Sequence, residues 1–301
     1  YDDAIKLKIT KGLVSAKNRS VNASDANAAY VDIVARELNE IFDPKKKGDF
    51  KPTGADIDVY TNLDPVLQKH TYKTINSSER GLFEDKLIQA GTVILNTSNG
   101  GILAVGNGRN GHASFGGTNY AYNYFRQPGS TSKPLIDYGP AIEFLDWSTA
   151  HQLNDKKISY DGGSSIGNSD GKFLGKITMT EALAKSRNTT ALQTFKDVSS
   201  QSGLNNIIKF ATSLGLSDVD PNKFNQAYSI GGWTYGTTPI ELAGAYAAFG
   251  NGGYFNKPRT IREIKIKDSS PYKEEFGSKF KYKEKSEQVM KPSTAYLIHD
   301  M

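Results

Sequence analysis

Apolar residues recur at helical spacing over residues 28–42, where Val31, Val34, Leu38 and Ile41 place one stripe on one face of a helix. Residues 57–61 alternate like a short strand. Asn62-Leu63-Asp64-Pro65 then combines an Asp cap with Pro at the first helical position, which predicts a helix running towards Ser77. Two apolar runs, 92–96 and 101–106, flank Thr97-Ser98-Asn99-Gly100, and Asn-Gly between such runs predicts a β-hairpin. A segment of helical character follows Ser130. Further helices are expected over 178–185, 189–198, 205–214, 239–249 and 292–301, closed by glycines such as Gly215 and Gly250. Residues 260–267 alternate again as a strand. Between these elements lie a charged, Pro- and Gly-punctuated connector at 43–54, a loop rich in Gly, Ser, Asn and Asp at 155–176, and a charged loop leading to Lys291. The connector sets a boundary near residue 55.

At 301 residues the chain can bury a substantial core, as one large domain or two smaller ones. Its formal net charge of +5 is a modest basic excess, and Lys and Arg are interspersed with Asp and Glu. Such spacing makes solvated faces, and nucleic acid is not an expected partner. The absence of cysteine excludes disulfides, thiol catalysis and thiolate metal sites. His70, His112, His151 and His299 are far apart and none has a partner at metal-ligand spacing, so no metal or cofactor is expected. No run of about 18 apolar residues occurs, and Tyr1 opens no signal peptide. The chain starts without an initiator Met and stops inside a helical pattern, so it reads as a piece of a longer protein.

The candidate chemistry sits in residues 125–143, FRQPGSTSKPLIDYGPAIE. Ser130 and Lys133 form Ser-x-x-Lys, and positions i and i+3 of a helix share a face, which brings an amine within reach of a hydroxyl. A serine hydroxyl needs an adjacent base to become a nucleophile. Lysine can serve only if its surroundings lower its pKa. Pro128 and Gly129 place Ser130 in the first turn, where free backbone N–H groups favour developing negative charge. Ser-x-x-Lys alone is a weak signal; Ser186-Arg187-Asn188, 56 residues downstream between two helical segments, makes it informative. Acyl transfer with a serine nucleophile and lysine base needs a second hydroxyl to relay a proton to the leaving nitrogen and an amide to hold the peptide bond. Ser186 and Asn188 offer both. Two other motifs are discounted: Gly106-Asn-Gly108-Arg-Asn-Gly111 is not followed by a helix, and Gly163-Ser-Ser165-Ile-Gly167 leads into a loop.

With these motifs, the chain resembles the penicillin-binding transpeptidases of bacterial cell-wall synthesis, and among them the bifunctional class A enzymes. The resemblance also runs through Tyr30-Val-Asp-Ile-Val, Asp58-Val-Tyr-Thr-Asn-Leu-Asp64, Arg126-Gln-Pro-Gly-Ser-Thr-Ser-Lys-Pro134, Ile177-Thr-Met-Thr-Glu-Ala-Leu183 and Ala245-Tyr-Ala-Ala-Phe-Gly-Asn-Gly-Gly253. It implies an α/β (α+β) fold of the penicillin-binding and serine β-lactamase type, a mostly antiparallel sheet flanked by helices with a helical subdomain. Ser130 would be the acylated nucleophile, Lys133 its base, Ser186 the proton shuttle and Asn188 the binder of the donor stem peptide; Thr131 and Trp233 would line the cleft, with a core position equally open to Trp233. The implied partners are peptidoglycan stem peptides, β-lactams, and a C-terminal remainder of the same protein carrying a Lys-Thr/Ser-Gly strand that these residues lack. Residues 1–55 would be the linker after an absent glycosyltransferase domain, and 56–301 an incomplete transpeptidase domain. Its place would be the outer face of the bacterial cytoplasmic membrane, held by an absent N-terminal anchor. Two other readings are weighed: a β-lactam-hydrolysing relative would need a carboxylate to activate water, and neither Glu181 nor Glu241 lies in a matching motif. A non-catalytic sensor or wall-binding module would have no use for all four polar residues.

Overall fold

The helix Ala28–Phe42 forms where its periodicity places it, yet its buried stripe sits one step off the expected one. Tyr30, Ile33, Val34, Leu38 and Phe42 are buried, while Val31 and Ile41 are half-buried. Two polar residues on that face decide the rotation. Tyr30 Oη donates to the carbonyls of Ile102 (2.7 Å) and Thr260 (3.2 Å). The Glu37 carboxylate accepts from Thr260 N (2.7 Å) and the Thr260 hydroxyl. Buried polar groups must find partners, so these bonds fix which side of the helix faces the strands.

The computed structural model describes residues 6–8 by backbone alone, and 26–42, 55–77, 83, 85, 87–109, 117–281 and 286–301. Chain contacts divide it into two units. The first comprises residues 1–124, 238–243 and 257–285, the second 125–237, 244–256 and 286–301. In the first unit an antiparallel sheet runs in the order Lys6–Lys8, Ile57–Thr61, Ile261–Ile266, Lys279–Lys281. The helix Ala28–Phe42 packs on the same core as Ile57, Val59, Ile102, Ile261 and Ile264. The expected boundary near residue 55 therefore does not separate two cores, because one apolar cluster draws from both sides of it; the connector at 43–54 lies outside the described residues. Asp64 caps the helix Pro65–Asn76, accepting from Val66 N (2.9 Å) and Leu67 N (3.0 Å). The hairpin Gly91–Leu95 with Ile102–Asn107 forms in the expected place, with Val93 opposite Val105.

In the second unit the helix Asn188–Gln201 is the hub, burying Thr190, Ala191, Leu192, Thr194, Phe195 and Val198. Packed around it are Pro134–Tyr138, Gly139–Leu145, Leu204–Ser213 and Gln226–Ile230. Tyr138 Oη meets Thr190 Oγ1 at 3.1 Å across this packing. Residues 155–176 are more ordered than an open loop: Gln152–Asp155 pairs with Gly175–Thr178, and Ile158–Ser159 with Ser165–Ile166. Their short length and polar side chains hid them from a periodicity argument. All strand ladders of the described residues are antiparallel. Among these residues, no helix is long and apolar enough to cross a membrane.

Candidate active site

The helix that begins at Gly129 changes its winding along its length. Gly129–Ser132 is a 3₁₀ turn, Pro134–Tyr138 a π turn, and Gly139–Leu145 an α-helix. Single π turns inside helices cost hydrogen-bond regularity and concentrate at functional sites. Here the first irregular turn carries Ser130, and Lys133 stands at the junction of the two. Ser130 is exposed, whereas Lys133 is fully buried.

Backbone contacts hold this segment. The carbonyl and N–H of Arg126 pair with the N–H and carbonyl of Thr237 (2.8 and 3.0 Å). Gln127 Nε2 donates to Trp233 O (3.3 Å), and Ser132 Oγ donates to Gly129 O (2.9 Å) and Ser229 O (3.1 Å). Gly231, at φ 86°, lies so close that a Cβ on it would stand 2.1 Å from Gly129 O. Only a glycine fits there, for its positive φ and for the approach.

Lys133 Nζ reaches across to the second motif. It lies 2.7 Å from Ser186 O, 3.0 Å from Ser186 Oγ and 2.9 Å from Asn188 Oδ1. Two of the three partners are carbonyl oxygens and the third is a hydroxyl, which can also donate. A neutral amine can thus give its two protons to the carbonyls and accept from Ser186, so the cradle suits both protonation states. Burial lowers the Lys133 pKa to about 8, against the pull of Asp137 and with help from Arg187. Asp137, one turn on, is fully buried, and that burial pushes its carboxyl well up against the opposing influence of Ser229 and Lys133.

The Lys133 main-chain N–H donates to Ser130 O, but among the described residues no hydrogen bond joins the two side chains; the amine turns instead to Ser186 and Asn188. The i, i+3 spacing places the two residues on one short segment, while the amine's three acceptors decide where it points. Catalytic hydrogen bonds are often loose until substrate is bound. Thr131 is exposed, its hydroxyl donates to Pro128 O (2.7 Å), and its carbonyl accepts from Tyr246 Oη (2.8 Å). Trp233 is 1% exposed, stacked on Tyr228 with Nε1 donating to Tyr228 O (3.1 Å). Its ring belongs to the core, one of the two places the sequence leaves open for it: an indole that finds an internal acceptor stays inside.

The geometry of Ser186 comes from a helix end. Met179–Ala184 stops with Ser186 N bonded to Leu183 O (2.8 Å) and Arg187 N to Ala182 O (2.9 Å). This double closure puts the residue after the cap in the left-handed region, a position that usually takes glycine. Ser186 occupies it at φ 51°. The next helix starts at Asn188, and its first N–H groups are capped from outside: Asn168 Oδ1 accepts from Asn188 N (2.8 Å) and Thr189 N (3.4 Å). Asn188 Nδ2 donates to Gly167 O (3.1 Å), which turns its Oδ1 to Lys133.

Below the turn lies Asp155, fully buried. It accepts from Asn168 Nδ2 (2.7 Å), Leu174 N (2.9 Å), Arg187 Nε (2.8 Å) and the Thr189 hydroxyl. Burial alone would raise this carboxyl, but those four donors outweigh it and hold the group below the usual carboxylate range. Asp155, Asn168 and Asp170 escape motif reading because they are scattered over residues classed as loop. Arg187 could have drawn notice as a charge inside the motif, and Asn168 as an Asn in the run after Gly167. Ser165 is an exposed strand residue facing Ser159, in keeping with its dismissal as a nucleophile. Glu181 bonds Lys185 on an exposed helix face. His112 and Gly111 lie outside the described residues, and no group of three metal-ligating side chains occurs within them.

The penicillin binding protein transpeptidase domain family model matches residues 90–301. Among curated relatives, penicillin-binding protein 1A/1B of Bacillus subtilis (strain 168) is 37% identical over 304 residues, an alignment spanning 100% of this chain and 31% of that protein. Penicillin-binding protein 1A of Streptococcus pneumoniae is 33% identical over 309 residues, covering 100% of this chain and 40% of the relative. The chain thus spans well under half the length of these two relatives. The solved structure of PonA1 from Mycobacterium tuberculosis in complex with penicillin V aligns with TM-score 0.71 at 20% identity over 90% of this chain and 68% of that one, a likeness of fold. On the family match across most of its length, the chain belongs to the transpeptidase-domain family of penicillin-binding proteins.

Proposed function

We propose that this chain supplies the donor-side machinery of a serine D,D-transpeptidase, acting on the D-Ala-D-Ala end of peptidoglycan stem peptides. Ser130 Oγ attacks the carbonyl carbon of the penultimate D-Ala while its proton passes to neutral Lys133 Nζ. The tetrahedral adduct expels the terminal D-Ala, whose nitrogen takes a proton relayed from Lys133 through the Ser186 hydroxyl. The ester on Ser130 is then attacked by an amine of a neighbouring stem, with the reverse proton path, and free Ser130 returns. Asn188 holds the amide of the donor, and Thr131 lies beside the nucleophile. A β-lactam is attacked in the same way: its ring C–N bond breaks, the nitrogen takes the relayed proton yet stays tethered through the opened ring, and the ester on Ser130 persists.

The observation that carries this reading is the amine of Lys133, buried, lowered towards neutrality and bonded to both Ser186 and Asn188. Ser186 and Asn188, 53 and 55 residues from the lysine, meet on its one nitrogen, on the segment that bears an exposed serine. Without a lowered pKa the lysine could not take a proton at neutral pH. We further propose that the domain works on the outer face of the bacterial cytoplasmic membrane and that a Lys-Thr/Ser-Gly strand from elsewhere in the same protein completes the cleft, as the resemblance implies.

Peptide mapping after exposure to penicillin tests this. The expected result is a stable adduct on the peptide containing Ser130, lost in Ser130→Ala. An adduct on another serine sinks the assignment, and turnover of penicillin within seconds favours a hydrolase.

A further inference from the structure

Arg187 is the middle residue of the second motif, and the reaction above assigns it nothing. It is 4% exposed, and its fork is filled: Nε on Asp155 Oδ2 (2.8 Å), Nη1 on Asp170 Oδ2 (2.9 Å) and Nη2 on Lys172 O. The residues on either side of it, Ser186 and Asn188, both bond Lys133 Nζ. A buried cation is a costly choice for a spacer, since any small neutral side chain could fill that position without opposing a neighbouring ammonium.

The charged groups facing the two cations are Asp137 from the segment that bears Lys133, Asp155 from the strand Gln152–Asp155, and Asp170 from the loop after Ser165–Ile166. Asp155 is fully enclosed; the Asp170 side chain is 45% exposed. We propose that Arg187 is a positioning residue for Lys133: pinned by Asp155 and Asp170, its guanidinium holds the left-handed Ser186 turn around the amine and disfavours the ammonium form, keeping the base available nearer to neutral pH. This rests on reading Lys133 as the base of Ser130. Arg187 is among the influences that lower the lysine, behind burial and smaller than the opposing pull of Asp137. Two opposite consequences follow. Removing the guanidinium favours the ammonium, while removing one of the carboxylates that offset it leaves more of its charge to act on the lysine.

The test uses the intact protein at low ionic strength and a fluorescent penicillin, with the second-order acylation rate followed against pH to locate the midpoint of the acid limb. Arg187→Gln should move that midpoint up, which slows acylation at pH values below it. Arg187→Lys, which keeps charge but has no planar fork for three acceptors, should keep the parent midpoint at a reduced plateau rate. Asp170→Asn should move the midpoint down, by less than the Gln change because the group is partly in water. Lower rates with every midpoint at the parent value would make Arg187 a brace without influence on the base and overturn the inference. So would shifts of the Gln and Asn variants in the same direction. If Arg187→Gln does not fold, Asp170→Asn decides alone, and an unmoved midpoint there overturns the inference. A parent labelled at Ser130 with unmoved midpoints sinks this inference only; a parent that takes no label at Ser130 removes the proposed function with it.

Discussion

The two motif segments of the second unit are held in place by different physics. Residues 126–132 rest on residues 229–237 through main-chain pairing and a glycine contact, with hardly a side chain involved beyond Gln127 and Ser132. The turn at Ser186-Arg187-Asn188 is closed at its start by two main-chain bonds and is otherwise held by side chains: a buried carboxylate, a buried guanidinium and an Asn that caps the next helix from a distance. A backbone clamp is intolerant of an added atom where the two chains touch, and indifferent to pH. An ionic clamp tolerates atoms but depends on charge. Ser130 is thus set by shape, and the groups that cradle Lys133 are set by electrostatics.

That contrast is most readily broken at Asp155. Asp155→Ala leaves a guanidinium, a hydroxyl and a main-chain N–H buried without their acceptor, and removing one member of a buried ion pair costs about 3–5 kcal/mol. Chemical denaturation should register that loss. Next comes Gly231→Ala. Its Cβ would meet the Gly129 backbone at 2.1–2.3 Å in a left-handed conformation, and backbone strain plus overpacking should cost about 2–4 kcal/mol. Gly129→Ala sharpens the point: φ is 56° but nothing lies within 4 Å of the place a Cβ would take, so only the conformational penalty of about 1 kcal/mol is expected. Equal losses at the two glycines would show that their conformation, and not the close approach, decides.

Much of this arrangement was legible in the sequence. Ser130, Lys133, Ser186 and Asn188 are brought into one unit, and the helix starts and the hairpin sit within a residue or two of their signals because caps and turns are local chemistry. What escaped is non-local. The rotation of the helix Ala28–Phe42 depends on Tyr30 and Glu37 finding acceptors and donors more than 70 residues away. The clamp from Asp155 and Asn168 looked like loop composition because hydrogen-bonding side chains have no period. Trp233 looked equally suited to a cleft, and only its internal acceptor shows why it is buried.

Acid should separate the two clamps by a smaller effect. The folded-state pKa of Asp155 lies below its unfolded value near 3.9. Its contribution is therefore fully present above that unfolded value and is lost as pH falls through the folded one. Urea denaturation of the parent and Asp155→Asn from pH 7 down to pH 3 should show the gap between them closing at the acid end, whereas the deficit of Gly231→Ala stays constant. A gap that widens in acid would refute a depressed Asp155. At the bottom of the scale, the exposed Lys185–Glu181 pair should hardly matter: Lys185→Ala is expected to change stability by under about 0.5 kcal/mol, and a larger change would mean the helix end before Ser186 leans on that pair.

Everything proposed for this site requires Lys133 to be the base, and the pH dependence of penicillin acylation in the parent and in Lys133→Arg tests that most directly. The parent rate should rise with pH around a midpoint of about 8. The Arg variant, whose guanidinium stays protonated, should be slower by on the order of 10² to 10⁴ with its unfolding still cooperative. Acylation of Lys133→Arg at the parent rate, with the same midpoint, would show that another group takes the proton from Ser130 and would contradict the role given to the lysine.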